Sequence, residues 1–190
     1  MNIAVTGLFL SGKSTFSKIL SKKLEYEYFD SDEYVHNLYK QEKIIKKIVD
    51  NFGNSIYKEN KFQKKILSDL VFSSLENLRK LESIIIPEVK KEIIRLVKDT
   101  SRDLIFEVPL LYENALDSLM DFSILVMCNE KEALKRARKR GYSEEDFFER
   151  IKYFINDQQK LEKNPIIVKN EGSINNLNEQ ADQIITYITN

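Results

Sequence analysis

The sequence predicts an α/β fold, in which a doubly wound parallel sheet of five strands carries helices on its faces. Short apolar segments that suit buried strands are separated by longer segments with the apolar spacing of amphipathic helices. Hydrophobic residues make up 42% of the 190 residues, which is enough for the core of a globular protein. We therefore predict a single domain, residues 1–190.

The strand signals come early and late in the chain. The predicted strands are 3–5, 26–29, 104–108, 122–128 and 165–168. Between the second and third of them, amphipathic stripes predict helices throughout 41–98, with one helix ending at Gly53 and another beginning at Pro87. A plain βαβ crossover needs only one helix, so the sequence predicts a helical, substrate-binding insertion at about 33–98.

A phosphate-binding pattern stands directly after the first strand. Residues 7–15 read Gly-Leu-Phe-Leu-Ser-Gly-Lys-Ser-Thr, the full G-x-x-x-x-G-K-[ST] pattern between a predicted strand and a predicted helix. Gly7 and Gly12 let the backbone wrap closely around phosphate oxygens, and the amides of the helix N-terminus attract the anion. We expect Lys13 to reach the β- and γ-phosphates and Ser14 to bind Mg²⁺. The predicted nucleotide-binding residues of this loop are Gly7, Leu10, Ser11, Gly12, Lys13, Ser14 and Thr15.

Carboxylates follow two of the predicted strands. Asp30 and Asp32 come after the second strand, at the sheet edge where α/β proteins bind their ligands. Asp32 can equally cap the helix that follows, and the two aspartates can divide these roles. Glu107 in the third strand either supports Mg²⁺ or faces solvent at the strand end.

A basic run at 135–140 contains five cationic residues in six and lies on a helix that Asn129 caps. Arg136 and Arg140 are four residues apart and share a helix face, so both can clamp a transferring phosphoryl group. Gly141 and a capped helix start at Ser143 predict a helical lid at about 135–162. A solvated face and a nucleic-acid contact are the alternative interpretations of the run.

The overall charge and the cysteine content limit the partners. The formal net charge is zero, so we expect neither nucleic acid nor a membrane as a partner. The apolar runs are too short to span a bilayer, and the single cysteine, Cys128, suits a reducing compartment. We therefore expect a cytoplasmic protein.

These segments resemble the dephospho-coenzyme A kinase family of P-loop kinases over almost the whole chain. The most family-specific segment is Val108-Pro109-Leu110-Leu111-Tyr112-Glu113. The other supporting segments are the phosphate loop, Asp30-Ser31-Asp32, Phe52-Gly53, Val71-Phe72, Leu81-Glu82 with Pro87, Arg136 with Arg140, Arg150-Ile151 and 169–173.

The resemblance implies ATP-dependent phosphorylation of the ribose 3′-hydroxyl of dephospho-coenzyme A, with Mg²⁺. It implies that Asp32 orients or deprotonates the acceptor hydroxyl, with Asp30 as the second choice. Arg136 and Arg140 would stabilise the transferring charge. Asn170 and Gly172 would line the adenine pocket.

The chain departs from the family pattern at several positions. Leu8-Phe9-Leu10 replaces Gly-Ile-Gly in the phosphate loop, Ile86 replaces a histidine, Lys64 an arginine and Phe154 a glutamine. Two alternatives therefore stay open: a nucleoside or nucleoside-monophosphate kinase of the same fold, and an ATP-dependent regulator or nucleic-acid helper.

Overall fold

The structure, a computed structural model, describes residues 1–58, 61–152 and 154–190. These residues form two compact units, one made of Met1–Asp30 with Val97–Asn190 and the other of Ser31–Leu96. The first unit contains the parallel sheet and the phosphate loop, and the second contains most of the helices predicted for the insertion.

The elements follow one another in a simple order. The strands are β1 (Asn2–Thr6), β2 (Glu27–Asp30), β3 (Tyr57–Lys58), β4 (Lys61–Phe62), β5 (Leu104–Glu107), β6 (Phe122–Met127) and β7 (Ile166–Lys169). The helices are α1 (Lys13–Leu24), α2 (Ser31–Leu38), α3 (Glu42–Phe52), α4 (Lys64–Phe72), α5 (Leu75–Val97), α6 (Glu130–Lys139), α7 (Glu144–Ile151), α8 (Asp157–Leu161) and α9 (Ile174–Thr189). Short 3₁₀ turns occupy Asn54–Ile56 and Asp117–Leu119.

Within the described residues, the sheet of the first unit has five parallel strands in the order β2-β5-β1-β6-β7. This confirms the predicted fold class, and no strand end differs from the predicted one by more than a single residue. The register places Glu107 beside Val5 on one side and beside Asp30 on the other. The polar groups at the strand ends are therefore brought together at the carboxyl edge of the sheet.

Helices α1 and α9 cover one face of this sheet. Ile3, Ile105, Ile124 and other strand residues are fully buried with Phe16 of α1, and Leu177, Ala181, Ile184 and Ile188 of α9 belong to the same core. Burial of each large apolar side chain stabilises the fold by about 1.5–3 kcal/mol. This packing holds the N-terminus of α1 at the end of β1, where the phosphate loop lies.

The insertion differs from its sequence prediction in its strand content. β3 pairs with β4 as an antiparallel hairpin where the sequence predicted only helices, and the connecting residues 59–60 lie outside the described ones. The two strands are so short that their alternation of aromatic and lysine residues gives no clear period-2 signal.

The helix boundaries of the insertion also differ. Residues 66–81 lie in the segment predicted to be helical throughout, yet they are divided between α4 and α5. The Ser74 hydroxyl accepts a hydrogen bond from the Asn77 amide near the break. Pro87 lies inside α5 and does not begin a helix. The proline ring suits a helical φ, and the buried Ile85 and Val89 on this helix help to offset the hydrogen bond that proline cannot make. No helix among the described residues has the length and apolar content of a membrane span.

Candidate active site

The phosphate loop has a backbone that only its glycines allow. Gly7 has a φ of +155°, and a Cβ there would lie 2.4 Å from the carbonyl oxygen of Val126. Gly12 has a φ of +97°, and a Cβ there would lie 1.9 Å from Nδ2 of Asn170. α1 begins immediately afterwards at Lys13 and has no acidic residue in its first turn. The loop therefore places a helix N-terminus, with its partial positive charge, where an anion can bind.

A cavity of about 320 Å³ lies against this loop and the start of α1. It is lined by Leu10, Gly12, Lys13, Ser14, Thr15, Arg136, Lys139, Arg140, Asn170, Gly172, Ser173, Ile174 and Leu177. Most of the residues that the sequence predicted for nucleotide binding and charge stabilisation therefore surround one space. Ser11 is buried beside it, and Gly7 supports the loop from the β1 side.

A group of hydroxyl and carboxylate side chains lies at the start of α1. The Ser14 hydroxyl donates a hydrogen bond of 2.6 Å to Oε1 of Glu107. The Tyr28 hydroxyl contacts Oε2 of the same carboxylate, as its donor, and lies 3.3 Å from Oδ2 of Asp30. We call Ser14, Tyr28, Asp30 and Glu107 the acidic flank of the loop.

Glu107 is the centre of the acidic flank. Its side chain is only 2% exposed, so the interpretation that it faces solvent at the strand end is wrong. Burial, and then the hydrogen bond to Glu107, raise the pKa of Tyr28 well above its ordinary range. Tyr28 therefore stays protonated and donates, and Glu107 remains the acceptor for two hydroxyl groups.

The opposite side of the loop is held by nitrogen donors. Nη1 of Arg136 donates to the carbonyl oxygens of Leu10 and Ser11 at 3.0 Å, and Nη2 donates to the Asn170 carbonyl at 2.9 Å. Nδ2 of Asn170 donates to the Ser11 carbonyl at 2.7 Å. We call Arg136 and Asn170 the basic flank. Arg140 lies one helical turn beyond Arg136 and lines the cavity.

Leu10 and Phe9 of the loop pack against α6, α7 and the residues between these helices. Leu10 has a φ of +64°, a left-handed conformation that costs a non-glycine residue about 1–2 kcal/mol. Its side chain is 7% exposed and packs with Ala133 and Ala137 of α6 and Phe147 of α7. The neighbouring Phe9 meets Tyr142 edge to face, with ring centroids 5.4 Å apart. Side-chain packing therefore offsets the strain where the family pattern has glycine.

The insertion carries the other predicted residues. Asp32 lies in the first turn of α2, which begins at Ser31, so the interpretation of Asp32 as the helix N-cap is wrong. Burial, and then the charge of Asp32, raise the pKa of Tyr39 to about 12. Lys64, at the position of the family arginine, has its Nζ 2.7 Å from Nε2 of His36. Ile86 lies half-buried within α5.

Tyr28 was not among the predicted site residues, and two interpretations of Glu107 were open from the sequence. A usable signal for Tyr28 was its spacing, because a residue two positions before Asp30 on a strand points to the same face. For Glu107, the register with Asp30 was the missing information, and register depends on the three-dimensional pairing of β2 with β5.

The sheet is parallel with a phosphate loop after β1, Ser14 of the loop binds a buried carboxylate, and basic residues of α6 line the cavity. Together these features define a P-loop kinase. The profile of the dephospho-CoA kinase family matches residues 1–176, and the chain belongs to that family. It is therefore a phosphotransferase.

Individual relatives agree with this assignment. The dephospho-CoA kinase of Carboxydothermus hydrogenoformans is 32% identical over 190 residues, covering 96% of this chain and 92% of the relative. A crystal structure from Thermus thermophilus has a TM-score of 0.81 and 25% identity, covering 100% of this chain and 98% of its own. The dephospho-CoA kinase structure from Campylobacter jejuni has a TM-score of 0.69 and 25% identity, and the match covers 98% of this chain and 96% of that one.

Proposed function

We propose that this chain transfers the γ-phosphoryl group of ATP to the ribose 3′-hydroxyl of dephospho-coenzyme A, giving coenzyme A and ADP. The observation that carries the proposal is the hydrogen bond between Ser14 and the buried Glu107, which joins the phosphate loop to the carboxyl edge of the sheet. Family membership gives the acceptor.

The nucleotide is held mainly by the loop and α1. Lys13 is 8% exposed and lines the cavity, where its ammonium group complements the charge of the β- and γ-phosphates. The amides at the start of α1 bind phosphate oxygens. Asn170 of the basic flank and the nearby Gly172 line the same cavity, and we assign this part of it to adenine.

The acidic flank fits Mg²⁺. Mg²⁺ prefers oxygen ligands and is commonly held by one or two protein oxygens together with substrate phosphates and water. Ser14 and Glu107 offer a hydroxyl and a carboxylate 2.6 Å apart, so these two residues would hold the ion. A bound Mg²⁺ would neutralise the charge of the phosphates.

We assign stabilisation of the charge on the transferring phosphoryl group to Arg140. Arg136 has its guanidinium group committed to the carbonyl oxygens of the loop and of Asn170, so we assign it to holding the loop in shape. Arg140 lines the cavity from the end of α6, and a guanidinium group there stabilises the phosphoryl group during transfer.

The acceptor hydroxyl needs a carboxylate within hydrogen-bond reach, and Asp32 is our first choice, with Asp30 second. Oδ2 of Asp30 lies 3.3 Å from the Tyr28 hydroxyl oxygen on the acidic flank, which suits a supporting role. We expect Asp32→Asn to bind ATP normally and to lose about 100-fold in kcat, and Asp30→Asn to lose less. The reverse order of the two losses would make Asp30 the base.

The test of the proposed function is an acceptor panel. ADP release would be measured from ATP and Mg²⁺ with dephospho-coenzyme A, AMP, CMP, dTMP and adenosine as acceptors. Activity on dephospho-coenzyme A should exceed that on every other acceptor by about two orders of magnitude or more. A nucleoside monophosphate as the better acceptor would establish the alternative kinase instead.

A cytoplasmic location and the absence of a nucleic-acid partner belong to the same proposal. Cys128 is a free thiol, which suits a reducing compartment. In the basic run, Arg136 binds the loop and Arg138 pairs with Glu144 at 3.1 Å. These contacts within the chain support a structural use of the run.

A further inference from the structure

Lys160 is a buried lysine beyond the lid helices. Lys160 lies on α8 and is 0% exposed. Its Nζ nevertheless has no hydrogen-bond partner within the described part of the chain. The aromatic ring of Phe154 has its centroid 5.9 Å from Nζ. A buried ammonium group costs several kcal/mol unless other charges compensate it, so its burial requires an explanation.

Two carboxylates, Glu113 and Asp157, act electrostatically on this ammonium group and stabilise its charge in part. Glu113, in the loop after β5, accepts a hydrogen bond of 3.3 Å from the Ile155 amide through Oε1, and its Oε2 is buried without a partner among residues 1–58, 61–152 and 154–190. Oδ1 of Asp157 is also buried and has no hydrogen-bond partner among these residues. Asp157 precedes Lys160 by three residues on α8, so the two side chains share a helix face.

The chain segment that carries Lys160 is fixed in place by backbone contacts. α8 begins with a capping box in which Asn156 and Gln159 bind each other's amides, and it packs against β6. We call residues 154–161, which lead from α7 towards β7, the lid base. The bond from Ile155 to Glu113 ties the lid base to the loop after β5.

The lid base also borders the phosphate loop. Asp157 lines a cavity of about 220 Å³ together with Leu8, Phe9 and Ser11 of the loop and with Ala133 and Phe147 of the lid helices. Oγ of Ser11 is buried and makes no hydrogen bond to any described residue. Loop, lid and lid base therefore meet at this cavity, next to the polar cluster around Lys160.

The charges around Lys160 come from three parts of the first unit. Burial lowers the pKa of Lys160, Glu113 and Asp157 raise it, and Lys13 lowers it further. The Lys160 ammonium group is thus within electrostatic range of the phosphate-loop lysine. The two carboxylates offset only part of its desolvation and of the like charge of Lys13, because the pKa of Lys160 is lowered overall.

We propose that Lys160 is a positioning residue for phosphoryl transfer: its buried ammonium group keeps Glu113 and Asp157 in place and so fixes the lid base against the phosphate loop. Lys160 acts through these neighbours and not by contact with ATP. The inference rests on the proposed function, because the lid whose position it sets carries Arg140.

The test compares Lys160→Met with Lys163→Met, which removes an exposed lysine just beyond α8. For Lys160→Met we expect a loss of about 100-fold in kcat, as for a small misplacement of catalytic groups, with the KM for ATP changed less than about threefold. Lys163→Met should match the wild type in both constants. Circular dichroism and thermal melting would establish the folded fraction of each variant.

The variant Lys160→Arg keeps the positive charge, and its pH dependence of kcat tests the positioning role separately from any loss of stability. The wild-type kcat should fall at alkaline pH as Lys160 loses its proton, below the ordinary lysine pKa because of burial and Lys13. In Lys160→Arg, kcat should stay within about tenfold of wild type and this fall should move to higher pH, since guanidinium keeps its charge. Glu113, Asp157 and Lys13 are the charged groups that face this position.

If Lys160→Met does not fold, the double variant Lys160→Met with Glu113→Gln removes the uncompensated carboxylate as well and should fold. Its kcat should remain low. A wild-type kcat per folded molecule in either variant, or an alkaline limb that Lys160→Arg does not move, would overturn the positioning role. Failure of the wild-type enzyme itself on dephospho-coenzyme A would instead count against the proposed function.

Discussion

The two flanks of the phosphate loop are built from opposite chemistry. On the acidic flank, Ser14 and Tyr28 both donate to the carboxylate of Glu107, so side chains bind side chains. On the basic flank, Arg136 and Asn170 bind mainly backbone carbonyl oxygens of the loop. The acidic flank orients oxygen ligands without binding the loop backbone. The basic flank holds the loop backbone itself.

This difference indicates a division of labour. A guanidinium group with its donors used by backbone carbonyls shapes the loop but has little left for a moving phosphate. A carboxylate that accepts from hydroxyl groups can exchange those contacts for a metal ion, because hydroxyl oxygens are themselves Mg²⁺ ligands. Damage to the basic flank should therefore appear in stability and nucleotide binding, and damage to the acidic flank in metal dependence and turnover.

The largest effect is expected at Lys13, which lies between the flanks. Lys13→Ala should fold but lose about a thousandfold in kcat, because a positioned charge on the transferring group is removed. Lys22→Ala, at an exposed position on the same helix, is the matched control and should keep wild-type turnover. Near-normal turnover by the Lys13 variant would remove the loop from the mechanism.

The arginines of α6 should separate the two kinds of damage. Arg140→Ala should lower kcat by about 100-fold and change the KM for ATP little, because its contact strengthens in the transition state. Arg136→Ala should cost about 2 kcal/mol of stability and raise the KM for ATP, because loop carbonyls lose their donor. Steady-state kinetics and thermal melts measure both. If the two variants behave alike, the separation of roles is wrong.

A smaller effect is expected at Tyr28. Tyr28→Phe should lose about 1 kcal/mol of stability, because the buried Glu107 loses one donor. Burial and Glu107 raise the folded-state pKa of Tyr28 above its ordinary value of 10.0, so this stability is present below pH 10 and is lost as the pH rises further. Urea unfolding across pH 8–11 should show a shallower alkaline loss in the variant, with Tyr187→Phe, at an exposed tyrosine, as control.

The smallest effect is expected at Leu10. Leu10→Gly relieves about 1–2 kcal/mol of left-handed strain but gives up the burial of a leucine against the lid helices, about 1.5–3 kcal/mol. The free energy of unfolding should therefore fall by about 1 kcal/mol or less, which chemical denaturation can measure. A clear gain in stability would show that the packing does not offset the strain.

The sequence predicted the first unit better than the insertion, for physical reasons. The phosphate loop is a local motif between a strand and a helix, and segment 122–128 is almost uniformly apolar, so neighbouring residues were enough. The hairpin of β3 with β4 and the continuous α5 depend on packing across the insertion, which overrides the signals of Pro87 and of very short strands.

The same contrast holds within the site. Most of the side chains that line the nucleotide cavity came from motifs. In contrast, Tyr28 donates to Glu107 across 79 residues of chain, and Glu113 acts electrostatically on Lys160 across 47. Register and helix packing bring such pairs together, and no periodicity in a single sequence encodes them. Motifs in the sequence therefore identified candidate site residues, whereas their contacts with distant residues became known only from the fold.

The Mg²⁺ dependence of turnover tests the division of labour most directly. The initial velocity with ATP and dephospho-coenzyme A would be measured against Mg²⁺ concentration for wild type, Glu107→Gln, Arg136→Ala and the exposed control Glu179→Gln. Glu107→Gln should raise the half-maximal Mg²⁺ concentration about tenfold, the loss of about 1.4 kcal/mol, while the other variants stay near wild type. An unchanged Mg²⁺ dependence in Glu107→Gln, together with a shifted one in Arg136→Ala, would contradict the account.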